Sequence, residues 1–245
     1  MDKLESLLNS KGVTYSERWK PNLVNQYKNV ISSGYLQNLA DEVRSNISYS
    51  LQYLEFLQLQ LNELNLHCMI EKMIYKNYII ISISIIEAIL EEMIKFNGLQ
   101  TQVHFTIIGK EIDSNEFIDE HGIRKKVRTQ ILQAVEKPID VQMKLDDLLK
   151  KVKSRNKKKN KPKILNFDHE KLRALDEFRR LRNKVHLSNI EEGKTNWHEF
   201  SKKEYVTIKF LLHSILTEQN LENKNQQEYI NFLILNDEER QLLKN

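Results

Sequence analysis

The sequence predicts an all-α fold, and three observations carry that expectation. Glycine and proline are scarce, six and three in 245 residues, and all-β folds depend on the turns these residues make. Apolar residues recur at spacings of three and four over long stretches. Those stretches run without a Gly or Pro to interrupt them. With 40% hydrophobic and 29% charged residues, the composition is that of an ordinary globular chain, long enough for one large domain or two small ones.

Residues 1–34 are mixed. Trp19 and Pro21 suggest an ordered turn, and Ser32-Ser33-Gly34 marks a break. From Tyr35 to about Leu66, the residues Leu36, Leu39, Val43, Ile47, Leu51, Leu54, Leu57 and Leu61 form a helical stripe. Such a stripe suits a core contact or a dimer-forming helix. The next segment, IEKMIYKNYIIISISIIEAILEEMIKFNG from Ile70 to Gly98, is β-branched at its centre, which on propensity alone suits a strand. Its apolar pattern continues through Ala88, Ile89, Met93 and Ile94 with no turn signal, so it reads as a central, buried helix stopped by Asn97-Gly98. Glu87 lies inside this run, and a carboxylate there needs a cation or hydrogen-bond donors.

Residues 99–122 read as a connector with a strand-like piece at Val103–Ile108 and an acidic loop from Gly109 to Gly122. A helix is expected over Ile123–Val135, broken by Pro138, and a shorter one over Val141–Val152. Asp168 suits an N-cap for a helix whose apolar stripe is Leu172, Leu175, Phe178, Leu181 and Val185. Ser201, with Glu204 three residues on, suits a capping box for KEYVTIKFLLHSILTE, residues 203–218. The tail from Asn220 is polar up to an apolar piece, Tyr229–Leu235.

Charge is unevenly spread. The segment KKVKSRNKKKNKPK, residues 150–163, holds nine Lys or Arg and no acid, while the whole chain carries +4, so the remainder carries −5. It reads as an exposed, mobile loop able to attract nucleic-acid phosphate through Lys153, Arg155, Lys157, Lys158, Lys159 and Lys161, or simply as a solvated charge run. The lone Cys68 suits a reducing cytoplasm. The N-terminus lacks the pattern of a secretory signal. The most apolar run, Tyr78–Leu90, is well short of the ~20 residues that span a bilayer, so no membrane segment is expected.

Several chemistries are disfavoured. One Cys and seven scattered His offer no CxxC or HExxH spacing, so no metal is expected. No GxxxxGK[ST] loop and no GxSxG elbow occurs, and no cofactor is expected. Cys68 lies in an apolar run that would leave a thiol unactivated.

What remains is RRLRNKVH, residues 179–186. On a helix, Arg182 and His186 share a face, Arg179 joins them one turn earlier, and Asn183 flanks them. Phosphodiester cleavage in RNA needs proton transfer, which suits His, and stabilisation of a charged phosphorane, which suits Arg. The bland alternative is a polar helix face whose His186 meets the dipole at the helix C-terminal end.

The run FRRLRNKVHL resembles the motif of the HEPN superfamily of small α-helical domains, and YIIISISIIEAILEEMI resembles that family's early helix with its acidic residue. The resemblance covers roughly residues 70–218. It implies a helical bundle of HEPN type, with residues 1–69 as an N-terminal helical extension and residues 219–245 as a helical tail. It also implies a metal-independent endoribonuclease of a toxin–antitoxin or phage-defence system, paired as a homodimer so that two motif helices form one site. An antitoxin or regulatory protein would be a further partner. Arg182, Asn183, His186 and Arg179 would be catalytic, with Glu87 and Arg180 in support. Three residues separate Arg182 from His186, one fewer than is usual in the family, whereas Arg180 and Arg179 leave five and six. Other members of the superfamily are binding modules without activity. The alternative is therefore a non-catalytic RNA-binding or protein-interaction protein that uses the basic segment.

Overall fold

The computed structural model describes residues 21–158, 160–184, 199–218 and 224–244. The chain divides into two units, one of residues 1–98 together with 145–245, the other of residues 99–144. The first is helical. The second is a β-hairpin, so the fold is mostly helical rather than all-α.

In the helical unit, α1 (Val24–Val30) leads through a short 3₁₀ turn, Gly34–Leu36, to α2 (Asp41–Glu63). The stripe expected from Tyr35 onward is therefore interrupted before Asp41. Arg44 covers the break, donating to the carbonyls of Gln37 at 3.2 Å and Leu39 at 3.1 Å. Glu55 and Gln52 of α2 tie down the segment before it: Tyr27 donates to Glu55, and Gln52 Nε2 donates to the Asn22 carbonyl at 2.8 Å. Ile47, Leu51, Leu54 and Leu57 of the stripe are buried.

The long helix α3 (Cys68–Phe96) is the centre of this unit and packs against α2, α4 (Leu145–Asn156), α5 (His169–Asn183) and α6 (Lys202–Leu216). Its β-branched middle is helical because Ile79, Ile83, Ile86, Ile89 and Leu90 fall on buried positions at helical spacing. Gly98, at φ +61°, lies just past its end, where a left-handed residue closes a helix at little cost. Cys68 is not inside the apolar run; it is exposed at the first position of α3. Asp168 caps α5 by accepting from Lys171 N at 2.8 Å, and Ser201 with Glu204 forms the capping box of α6. The tail adds a 3₁₀ stretch, Lys224–Leu233, and a short α7 (Asp237–Leu242), with Ile230, Leu233 and Leu235 buried. Among the described residues, no helix is long and apolar enough to cross a membrane.

The hairpin unit corrects the expected helix at 123–135. Strand β1 (Gln102–Asp113) pairs antiparallel with β4 (Arg128–Asp140), and the short β2 (Phe117–Ile118) pairs with β3 (Arg124–Lys125) near the tip. The acidic loop expected from Gly109 is in part the end of β1. The physical reason is pairing: the strand-like Val103–Ile108 needs a partner, and Ile131–Ala134 supplies one residue for residue. Pro138, which has no N–H to donate, falls where the register slips between Ala134 and Ile139. At the tip, the Asp119 carboxylate accepts from the backbone N–H groups of His121 and Ile123, and Gly122 takes φ +76°.

Candidate functional site

The site is built where the C-terminal end of α5 meets α3 and the start of α4. Leu172, Leu175, Phe178 and Leu181 are buried and fix the rotation of α5. That rotation carries Arg182 to Glu87 of α3, and the two side chains form an ion pair. The partner that Glu87 was expected to need is therefore present. Glu87 is partly exposed rather than fully buried, with 23% of its side chain accessible against 37% for Arg182. Its other oxygen accepts from Leu145 N at 3.1 Å, at the first residue of α4. A carboxylate at a helix N-terminus satisfies an otherwise open donor and meets the positive end of the dipole. One carboxylate thus joins three helices.

Arg179 reaches the same end of α4. Its Nε lies 3.0 Å from Asp176 and 3.6 Å from Asp146. Asp176 also takes Arg180, at 3.3 Å. Asp146 is held below the usual carboxylate range, chiefly by its hydrogen bond to Lys150, with Arg179 adding to the effect. Asn183 is exposed at the last position of α5. Arg179, Arg182, Asn183 and Glu87 are therefore gathered at one end of α5, with Arg179 and Arg182 each already facing a carboxylate. His186 and Lys159 lie outside the described residues.

The basic segment is not a mobile loop throughout. Lys150, Lys151, Lys153 and Arg155 belong to α4, whose Leu148, Leu149 and Val152 are buried. The loop after it is pinned by Asn156. Its amide donates to the Leu165 carbonyl at 2.7 Å, and its Oδ1 accepts from Ile164 N at 3.2 Å. Arg155 closes the turn through the Pro162 carbonyl at 3.3 Å. Lys157, Lys158 and Lys161 are exposed on this loop, while Lys153 and Arg155 are half-buried. The lysine-bearing helix and the arginine-bearing helix are thus packed neighbours.

Phe178, Arg180 and Leu181 of α5, with Lys184 just past its end, line a groove of about 600 Å³, completed by Glu199, Lys203 and Thr207 around α6. Lys184 and Glu199 pair there at 2.8 Å.

One further charged group escaped the sequence reading. Lys209, 1% exposed in the middle of α6, is bound by both oxygens of Glu239 from α7, at 3.0 and 2.9 Å. Tyr205 and Tyr75 stack beside it with ring centroids 5.0 Å apart, and Tyr78 meets Tyr205 edge-on. Burial pulls the Lys209 ammonium below its ordinary pKa, with Glu239 working against that, and raises the Tyr205 and Tyr78 hydroxyls. The lone lysine in the run Ile208–Leu212 was the available signal; its partner, 30 residues on, was not.

Comparison of the chain with family models, with curated proteins and with solved structures returns no match.

Proposed function

We propose that this protein is a metal-independent endoribonuclease of HEPN type, acting as a homodimer in a defence or toxin–antitoxin setting in the cytoplasm. The observation that supports it best is the Arg182–Glu87 pair. An arginine has five N–H donors, and Glu87 engages Arg182 through Nη1, fixing the guanidinium at the half-exposed end of α5 beside Asn183. In this reading His186 transfers the proton at the 2′-hydroxyl or the leaving 5′-oxygen. Arg182 and Arg179 stabilise the phosphorane, and Asn183 orients the phosphate or the imidazole. Glu87 acts as a positioning residue, and Arg180 gives support through Asp176, the carboxylate it shares with Arg179. Lys153, Arg155, Lys157, Lys158, Lys159 and Lys161 supply the positive charge that draws RNA to the protein. An antitoxin or regulatory protein would restrain the activity.

The test is cleavage of a panel of RNAs in EDTA. Wild type is expected to cut, and His186→Ala to lose about 10²–10⁴-fold in rate, the range of a general acid–base group. Equal cleavage by both proteins, or none by wild type, discards the reading.

A second reading is favoured by Asp176, which pairs with both Arg179 and Arg180. Arginines neutralised on their own helix suit a face that only packs, leaving a non-catalytic RNA-binding module. It predicts salt-dependent RNA binding that is weakened by removing Lys157, Lys158 and Lys161 and unchanged by His186→Ala.

A further inference from the structure

The hairpin of residues 99–144 exposes an unusual amount of apolar surface. Phe105, Ile107, Ile108, Ile112, Ile131 and Leu132 are each 40–60% exposed. Opposed residues of an antiparallel pair share a face. The register therefore puts Phe105, Ile107, Leu132 and Ala134 on one face, and Thr106, Ile108, Ile131 and Gln133 on the other. Both faces carry large exposed apolar side chains, and in a two-stranded sheet both outer edges are open. A lone two-stranded hairpin is marginal in water, and open, β-branched edges are templates for another strand.

Its charge points to the kind of partner. Residues 99–144 carry seven acidic and seven basic side chains and so have no net charge. The tip charges are already paired with one another. Arg128 bridges Asp113 and Glu111 at 2.9 Å, and Lys126 meets Asp113 at 2.8 Å. A neutral, isoleucine-rich strand offers little to a polyanion, whose binding is dominated by phosphate neutralisation.

We infer that the outer edge of β4 pairs antiparallel with β4 of a second copy of this chain, about a two-fold axis at Leu132, giving a four-stranded sheet. In that register Leu132 lies beside Leu132 of the second copy, and Gln130 beside Ala134. Arg128 comes opposite Glu136 and, by the two-fold, Glu136 opposite Arg128, so opposite charges meet at both ends of the seam. Glu136 is exposed within its own chain. The pairing joins the two faces bearing Phe105, Ile107, Leu132 and Ala134 into one continuous apolar surface. Pro138, without an N–H, ends the pairing at the point where the β1–β4 register also slips. This interface is separate from the facing of two α5 helices and does not depend on nuclease activity.

Sedimentation of the full chain over a concentration series tests it, together with cysteine cross-linking in a Cys68→Ser background. Wild type is expected to dimerise. Leu132→Lys, at an exposed position where it would set two cations together on the axis, and Glu136→Arg, which would oppose Arg128, are each expected to weaken the dimer at least ~10-fold. Leu132→Cys is expected to form an interchain disulfide under mild oxidation, whereas Ile108→Cys, on the inner strand β1, is not. The inference is overturned by a monomeric wild type, or by a dimer that ignores both charge variants and does not cross-link through residue 132. Amide protection of β4 that appears only on adding RNA would likewise overturn it and make RNA the occupant.

Discussion

Residues 79–86 and 105–112 are both rich in isoleucine, yet only the first stretch is buried. Ile79, Ile83, Ile85 and Ile86 are at most 2% exposed in α3, whereas Ile107, Ile108 and Ile112 are 40–60% exposed in β1. The residue type is shared, so propensity does not separate them. Context does. The first run continues helically for 29 residues without a turn, and four other helices pack around it. The second is punctuated by Gly109, with φ +74°, and finds its hydrogen-bond partners across a hairpin. β-branched side chains favour strands mainly because they suit a pleated, half-covered surface, and burial in a helix bundle overrides that preference. One region has completed its burial within the chain, while the other has completed only its backbone pairing on one side.

The largest effect expected from this difference lies in the helical unit, at its buried ion pair. Lys209→Ala leaves Glu239 uncompensated inside the bundle and is expected to cost about 3–5 kcal/mol, read from the urea midpoint. Replacing both partners, Lys209→Met with Glu239→Leu, is expected to be near neutral or stabilising, because the pair bears a desolvation cost that apolar packing does not. A single variant that unfolds no more easily than wild type would mean that α7 is loosely held and that burial in this unit is less complete than its geometry implies.

How much of this was legible in the sequence follows the range of the interactions. Local signals read true: the Asp168 cap, the Ser201–Glu204 box and the Asn97-Gly98 stop all depend on residues within a few positions of one another. The Glu87–Arg182 pair, 95 residues apart, was legible because a lone carboxylate in an apolar helix demands a cation. Asp176, three and four residues before Arg179 and Arg180, is equally legible as an intrahelical partner. Reading the arginines only for what they could bind hides what already binds them. The hairpin was missed for a different reason. Residues 123–135 carry no turn signal, and their strand character comes from pairing with β1, a non-local contact that periodicity does not register. The Lys209–Glu239 pair is non-local in the same way.

A smaller but still substantial cost is expected for Ile86→Ala, which would open a cavity at the centre of α3. Large-to-small changes at such positions cost about 2–5 kcal/mol, and Ile86 has no exposed surface to soften the loss. Thermal unfolding followed by far-UV circular dichroism at the helical minimum reports this unit directly. A cost under ~1 kcal/mol would show that the bundle relaxes around the vacancy.

The smallest effect belongs to the matching substitution in the hairpin, Ile107→Ala. Its side chain is 54% exposed beside Leu132, so little apolar surface returns to water when it is truncated. Away from buried features, surface substitutions stay within about 0.5 kcal/mol, and the helical unit should unfold at the wild-type midpoint. The measurement belongs at a protein concentration low enough for the chain to be single. There the contrast with Ile86→Ala isolates burial from residue type. At higher concentration the two hypotheses for the hairpin diverge. If pairing through β4 brings the second copy's Leu132 against the face containing Phe105, Ile107 and Leu132, Ile107→Ala acquires a concentration-dependent cost, because a weaker dimer gains less stability by mass action. If that face stays in water, the cost remains flat. A large cost at every concentration would mean that Ile107 is covered within a single chain, and the distinction drawn between the two isoleucine runs would fail.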